Sequence, residues 1–372
     1  MQNTLTKIEP NNTSRIETLD WQRGMLALSI MAYHLYSWHI NTAQADTLIG
    51  RLGIYGVSMF FILSGLSMAI AYNKLEIGLK SSAIFFIRRI FRIWPILWVA
   101  IILVTAAEIL SKQEVSDPYK IFLNLTTLFG FLDPSAYINT GAWSIGNEIV
   151  YYSLTPAIIF IYKKKVWLGN LLLSASIIIG GLFATLLISP NIELSSQWSS
   201  YINPFNNLFF YISGFAIYYN TKRNQSSTLL PTTLIAISIC TLILYPATGD
   251  QANIVTNFNR IIFSLASLLM VFGFFKLRAN LPKIISFPLE KLGTITYGVY
   301  LLHPIVNLAF TAINSKLGII SATYCKIFII SGLTIVLALA SYEIIEKPMI
   351  KLGKRLTADS KDFSLRKRKI VS

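Results

Sequence analysis

Two residues that could do chemistry, Arg23 and His34, lie eleven positions apart in the apolar stretch DWQRGMLALSIMAYHLYSWH. Eleven residues make about three helical turns, so both side chains fall on one helix face, roughly 16 Å apart along the axis. A charged or titratable group inside a bilayer is costly and usually has a function. Histidine titrates near neutral pH and can act as a general base. The structural alternative is an anchoring arginine with a hydrogen-bonded core histidine.

A second cluster of basic residues lies in FFIRRIFRIWPILW, where Arg88, Arg89 and Arg92 precede a Trp-Pro pair. Arg89 and Arg92 are three residues apart and therefore neighbours on one helix face. Guanidinium groups at this spacing suit the recognition of a phosphate or diphosphate. Ordinary anchoring of a span by basic residues explains the same cluster equally well.

Two further segments carry polar or aromatic candidates. In GAWSIGNEIVYYSLTP, Trp143 lies at the start of a span and Glu148 soon after it, where the helix dipole also favours a carboxylate. In GTITYGVYLLHP, His303 is a second intramembrane histidine, with Tyr300 nearby. A His-Pro pair can instead be a structural feature of a helix kink.

The composition is that of a polytopic membrane protein. The chain has 372 residues, of which 54% are hydrophobic and only 13% charged, and its mean hydropathy is +0.57. Soluble domains carry about 25% charged residues. We predict an all-α membrane helix bundle of about ten transmembrane spans. The predicted spans are 24–40, 53–73, 93–110, 145–162, 167–189, 205–220, 229–246, 258–275, 294–313 and 320–341.

The net charge of +15 is explained by topology. With the N-terminus in the cytoplasm, 26 of the 32 Lys and Arg residues fall on the cytoplasmic side of the ten-span arrangement, as the positive-inside rule requires. Nucleic acid is therefore not needed as a partner. We expect a multi-pass protein of the cytoplasmic membrane with both termini inside. Residues 1–19 are expected to be a loose N-terminus, and residues 351–372 a basic tail that contacts membrane lipids.

The motifs taken together resemble the acyltransferase-3 family of integral membrane O-acyltransferases, of the type that acetylates surface glycans. The resemblance runs in order from Arg23 to Pro348 and is consistent with a transmembrane domain at 20–350. The stretches that carry it are LDWQRGMLALSIMAYH, MFFILSGL, the paired arginines before WP, WSIGNEIVYY, ITYGVYLLHP and IEKP. The opening DWQ, Leu66 and the Gly146-Asn147 pair depart from the usual pattern, which bears on the acceptor more than on the family.

The resemblance implies transfer of an acyl group, typically acetyl from acetyl-CoA, to a carbohydrate or lipid-linked glycan hydroxyl at the outer face. His34 is then the general base or the acyl carrier, with Arg23 helping to hold the donor. Glu148 would orient or charge-balance His34 or position the sugar, and the basic cluster Arg88, Arg89 and Arg92 would bind the donor. Trp143, Tyr300 and His303 would contact the acceptor, and no metal is expected.

A transporter or flippase of a lipid-linked glycan is the alternative function, with the same charged residues forming a pathway. A transporter works without acetyl-CoA, whereas the enzyme requires it. The absence of an internal repeat weakens the transporter interpretation, since many transporters are built from repeats.

The charge distribution makes a testable prediction about topology. Reporter fusions after Asn224 and after Thr248 should report the cytoplasmic and the external side respectively, because the two positions flank one predicted span. Reports from the same side for both fusions would contradict the ten-span arrangement.

Overall fold

The described part of the computed structural model is built from helices and contains no strand; it comprises residues 16–73, 78–110, 116–221, 228–279 and 281–358. Residues 1–15 of the predicted N-terminal segment, most of the predicted basic tail and the fusion position Asn224 lie outside these residues. The predicted all-helical fold is confirmed for the described chain.

The helices follow one another in chain order with short connections. They are α1 Glu17–His39, α2 Leu48–Tyr72, α3 Leu79–Leu110, α4 Pro118–Leu125, α5 Phe129–Leu132, α6 Trp143–Lys164, α7 Val166–Leu182, α8 Trp198–Tyr201, α9 Pro204–Asn220, α10 Leu229–Leu244, α11 Asn257–Lys276, α12 Lys283–Leu317, α13 Thr323–Ser341 and α14 Lys347–Leu356. π-Helical turns extend α7 over Phe183–Leu187 and α13 over Tyr342–Glu346, and 3₁₀ turns form at Leu194–Gln197 and Gln251–Ile254.

Six helices among the described residues are long and apolar enough to cross a membrane. They are Leu48–Tyr72, Leu79–Leu110, Val166–Leu187, Asn257–Lys276, Lys283–Leu317 and Thr323–Leu356. The other four predicted spans fall within α1, α6, α9 and α10, which are shorter or carry more polar side chains. The count of ten spans therefore stays a prediction.

Close helix contacts fix the register of the elements around the candidate site. Ile30 and Tyr33 of α1 lie against Gly56 and Gly53 of α2, so these two helices are antiparallel. On α12, Gly293 lies so close to the Asp20 carbonyl that an added Cβ would be 2.2 Å from its oxygen. Helices in membranes use such small residues where their backbones must approach closely.

The helix α12 runs beside α1 in the same direction. Gly293 lies against Asp20, and ten residues later on α12 His303 meets His34. We name the two levels of the bundle the arginine end, where Arg23 lies, and the histidine end, where His34 and His303 lie.

A buried arginine holds the segment before α2 against the end of α10 and the residues that follow it. Arg51 is 2% exposed and donates five hydrogen bonds to backbone carbonyls. The acceptors are Ala45 at 2.6 Å, Leu242 at 3.1 Å, Ile243 at 3.2 Å, Tyr245 at 2.6 Å and Ala247 at 3.0 Å. Three of these carbonyls belong to the last residues of α10 and the residue after it, where helix carbonyls lack intrahelical partners.

Replacing Arg51 should therefore destabilise the fold. Arg51→Met keeps the length of the side chain but leaves several buried carbonyls unpaired, each worth about 1.5–3 kcal/mol when its donor is charged. Thermal unfolding of the purified protein in detergent should show a lower midpoint for Arg51→Met. Arg51→Lys should recover little, because one ammonium group cannot reach five acceptors. Lys316→Met, at an exposed position, is the control; equal midpoints for the Arg51 and Lys316 variants would contradict this role.

Candidate active site

A cavity of about 440 Å³ lies among α1, α2, α3, α6 and α12 and is closed in part by the end of α13 and by α14. We call it the central cavity. The polar side chains on its wall that matter most for chemistry are Arg23, Ser64, Arg89, Arg92, Glu148 and Tyr300. Five of the predicted site residues therefore meet in one place, although they come from four separate helices.

Arg23 is held at the wall of the central cavity by two neighbours. Its Nη1 lies 2.6 Å from Oδ1 of Asp20, one turn earlier on α1. Its Nη2 donates to Oγ of Ser67 on α2 at 2.5 Å. The carboxylate is almost enclosed, with 8% of its side chain exposed against 26% for Arg23. The guanidinium thus keeps a fixed position with part of its surface open to the cavity.

The three predicted donor-binding arginines of α3 do not act alike. Arg89 lines the central cavity and donates to the Tyr72 hydroxyl at 2.9 Å, with its guanidinium 5.8 Å from the centre of the Tyr152 ring. Arg92 also lines the cavity and is exposed. Arg88 instead donates from Nε to the Thr357 hydroxyl at 2.8 Å, beyond α14. The structure therefore brings Arg89 and Arg92 to the cavity and leaves Arg88 outside it.

Glu148 has two hydroxyl donors and lies apart from His34. Its Oε1 accepts a hydrogen bond from Ser64 at 2.5 Å and another from Tyr152. Glu148 lies four residues along α6 from Ser144, which meets Tyr300. Tyr300 lies three residues before His303 on α12. Seven residues of helix, or about 10 Å along the helix axes, therefore separate Glu148 from the histidine end. Glu148 does not contact His34, so no contact supports orientation of His34 by Glu148, one of its predicted roles.

The histidine end holds a pair of stacked imidazole rings, which we call the histidine pair. Nδ1 of His34 lies 2.7 Å from Nε2 of His303, and the ring centres are 5.0 Å apart. His303 is completely buried, and its Nδ1 lies 3.0 Å from the Val299 carbonyl oxygen. His34 keeps part of its surface accessible, and Trp38 stacks on its ring at 5.2 Å. Sequence reasoning named both histidines but did not predict that they touch.

Tyr300 separates the central cavity from the histidine pair. Its ring lines the cavity and lies edge-on to His303, with 6.2 Å between the ring centres. Its hydroxyl donates to the Gly141 carbonyl at 2.9 Å and lies 2.8 Å from Oγ of Ser144. One helical turn thus lies between the end of the cavity and the paired rings.

Trp143 is packed inside the protein. Only 5% of its surface is exposed, and Phe61, Trp198 and Tyr201 surround its ring with centres at 5.7 to 6.2 Å. A sugar ring could stack on Trp143 only if one of these rings moved. Its predicted contact with the acceptor stays a prediction.

Several residues of the cavity were not singled out from the sequence. Ser64 and Ser67 are polar positions in an otherwise apolar span, and Tyr152 lies one turn after Glu148. Asp20 lies one turn before Arg23. The signal in the sequence was their spacing of three or four residues from another polar residue, which places both on one helix face. Among the described residues, no group of three or more His, Cys, Asp or Glu side chains is placed to hold a metal ion.

Comparison with known proteins agrees with the resemblance seen in the motifs. A family model described as an acyltransferase domain matches residues 16–343. The chain belongs to the acyltransferase-3 family. The matched region includes every helix that contributes to the central cavity except α14.

Curated relatives are distant but cover most of the chain. The peptidoglycan O-acetyltransferase OatA of Listeria monocytogenes is 27% identical over 91% of this chain, and the putative peptidoglycan O-acetyltransferase YrhL of Bacillus subtilis is 26% identical over 91%. The alignment covers 56% of each of these two proteins, so the chain spans about half their length. A putative acetyltransferase of Acidianus two-tailed virus is 26% identical over 84% of this chain and is itself 89% covered. No solved structure matches the chain significantly.

The positions of the α3 arginines predict a difference between them. Replacing both Arg89 and Arg92 with alanine should raise the apparent KM for acetyl-CoA at least about tenfold, since guanidinium–phosphate hydrogen bonds are charge-assisted and bidentate. Lysine at both positions should restore the KM only in part, because it lacks the planar fork. Arg88→Ala is the matched control and should leave the KM nearly unchanged. If Arg88→Ala raised the KM and the double alanine variant of Arg89 and Arg92 did not, Arg88 and not the other two would be the residue that binds the donor.

Proposed function

We propose that this chain is a membrane O-acyltransferase that moves an acetyl group from cytoplasmic acetyl-CoA to a carbohydrate hydroxyl at the outer face of the cytoplasmic membrane. Membership of the acyltransferase-3 family supports the reaction class. The similarity to a peptidoglycan O-acetyltransferase and to a putative one supports a carbohydrate acceptor. The excess of basic residues on one side of the predicted spans supports an arginine end that faces the cytoplasm.

One observation carries the proposal: a cavity with arginines on its wall leads to within one helical turn of a partly accessible histidine. Asp20 and Gly293 mark one level of the bundle, and His34 and His303 another, ten residues and therefore about 15 Å further along α12. Coenzyme A has a phosphorylated head and a long thin arm that ends in the thioester. Arg89 and Arg92 on the cavity wall can bind its phosphates, and its arm can reach through the cavity toward the histidine end.

The groups between the two ends suit the neutral part of the donor. The pantetheine arm contains amide N–H groups, for which the Glu148 carboxylate is an acceptor and the Ser64 hydroxyl a second polar partner. Tyr152 holds Glu148 in place by its own hydrogen bond. Arg23 lies nearby on the cavity wall, and its ion pair with Asp20 keeps its guanidinium N–H groups from swinging away.

The chemical step needs a base, and His34 is the residue we assign to it. A neutral hydroxyl is a weak nucleophile until its proton is removed. His34 takes the proton as the acceptor oxygen attacks the thioester carbonyl carbon. The new C–O ester bond forms, the C–S bond breaks, and the proton passes from His34 to the departing thiolate to give free coenzyme A. Each atom and charge is accounted for without a further co-reactant.

The experiment that tests the function compares surface glycans from cells that contain or lack this protein. Mass spectrometry should find glycan species heavier by one acetyl group only when the protein is present. Identical spectra in both strains, or transport of a glycan that proceeds without acetyl-CoA, would contradict the enzymatic function.

The assignment of His34 predicts the effect of a glutamine at that position. His34→Gln retains hydrogen bonding but cannot accept the proton, so turnover should fall by about two to four orders of magnitude, the usual contribution of a positioned general base. Acetyl groups on glycan per folded protein are the quantity to measure. His39→Gln is a matched control, because His39 lies on the same helix and bonds to Asn307 of α12 at 2.6 Å. A fully active His34→Gln protein would show that the histidine is not the base.

A further inference from the structure

We propose that His303 is a positioning residue: it fixes the tautomer of His34 so that Nε2 of His34, and not Nδ1, is the basic atom. The proposal rests on the proposed function only where it calls His34 the base. Its first part, the tautomer itself, is a property of the protein without substrate. It assigns to His303 a role different from the acceptor contact predicted from the sequence.

The chain of hydrogen bonds starts at the backbone of α12. The Val299 carbonyl oxygen, 3.0 Å from Nδ1 of His303, can only accept a hydrogen bond. Nδ1 of His303 must therefore carry a hydrogen. Pro304 has no N–H, so the Tyr300 carbonyl beside the same ring lacks its usual helical partner and adds a second acceptor.

Burial decides the state of the other nitrogen of His303. The residue is 0% exposed, and no carboxylate bonds to either ring of the histidine pair among the described residues. A charged imidazolium without an anionic partner is costly in such a place. His303 is therefore neutral, and with its hydrogen on Nδ1 it presents a lone pair at Nε2.

The state of His34 follows from that lone pair. Nδ1 of His34 lies 2.7 Å from Nε2 of His303, a distance that requires one donor and one acceptor. Since His303 is the acceptor, His34 donates from Nδ1, and its own lone pair lies on Nε2. This atom is on the far edge of the ring from His303, and His34 is the partly accessible member of the pair. The basic atom therefore lies on the edge of the ring that His303 leaves unoccupied.

The same contact serves the charged form of His34. When Nε2 takes the proton of the acceptor hydroxyl, Nδ1 continues to donate to His303, so no hydrogen bond has to rearrange. Trp38 stacks on His34 with 14° between the ring planes and also lies 6.0 Å from His303. An aromatic face stabilises an adjacent cation. The bond to His303 and the face of Trp38 thus both remain available to His34 when it carries the proton.

The tautomer can be measured directly in the unmodified protein. Nitrogen-15 NMR of histidine-labelled protein in lipid, with His34 assigned by comparison with His34→Gln, distinguishes a protonated from an unprotonated ring nitrogen. We expect His34 to carry its hydrogen on Nδ1 and an unprotonated Nε2. A hydrogen on Nε2 and a bare Nδ1 would overturn the proposal whatever the activity of any variant.

Two substitutions of His303 separate positioning from packing. His303→Gln keeps an acceptor oxygen near the position of Nε2, whereas His303→Met fills similar space with no comparable acceptor. We expect turnover within about fivefold of the wild type for glutamine and at least about tenfold lower for methionine, with the KM for acetyl-CoA unchanged in both, because only the orientation of the base is affected. Methionine should also leave His34 with a mixture of tautomers in the NMR spectrum.

The outcomes distinguish failure of this proposal from failure of the proposed function. If His34→Gln is inactive while His303→Met turns over like the wild type, His34 is the base and His303 does not position it. If His34→Gln is fully active, the base is wrongly assigned, and the NMR result alone decides the tautomer. Equal losses for His303→Gln and His303→Met, measured per folded protein, would show that His303 acts by packing.

Discussion

The hydrogen bond between the His34 and His303 rings is the contact on which the site depends. It joins α1 to α12, two helices far apart in the sequence, at a level where Met31, Leu35, Val299 and Val306 belong to one hydrophobic cluster. A polar group in such surroundings needs a partner, and two histidines that bond to each other satisfy that need without a buried charge. The pair can therefore remain neutral and still offer one nitrogen lone pair for chemistry.

The register of the bundle makes this contact possible. The missing side chain of Gly293 lets α12 approach the backbone of α1 at the arginine end, and the two helices then run in the same direction. Ten residues further along, His303 arrives opposite His34. The same approach encloses the central cavity between α1, α2, α3, α6 and α12, so one packing arrangement creates both the cavity proposed for the donor and the contact that holds the proposed base.

Those parts of the candidate site that lie within a single helix could be predicted from the spacing of residues in the sequence. The interval between Arg23 and His34, and the pair Arg89 and Arg92, are patterns within single helices, and the structure places the members as the helical period requires. The contact between His34 and His303 spans 269 residues, and that between Ser64 and Glu148 spans 84. Such contacts depend on which helices pack together, which no periodicity within one segment reveals. Arg88 shows that residues adjacent in the chain need not share a site. Successive residues on a helix point about 100° apart, so Arg88 faces away from Arg89 and bonds to Thr357.

In the proposed function, the donor enters at the arginine end and the acetyl group leaves at the histidine end, on opposite sides of the membrane. The most direct test uses proteoliposomes of known orientation, with labelled acetyl-CoA and a carbohydrate acceptor supplied on chosen sides. We expect labelled acceptor only when acetyl-CoA is on the side of Arg89 and Arg92 and the acceptor is on the other side. Equal labelling with both substrates on the histidine side, in sealed vesicles, would contradict it.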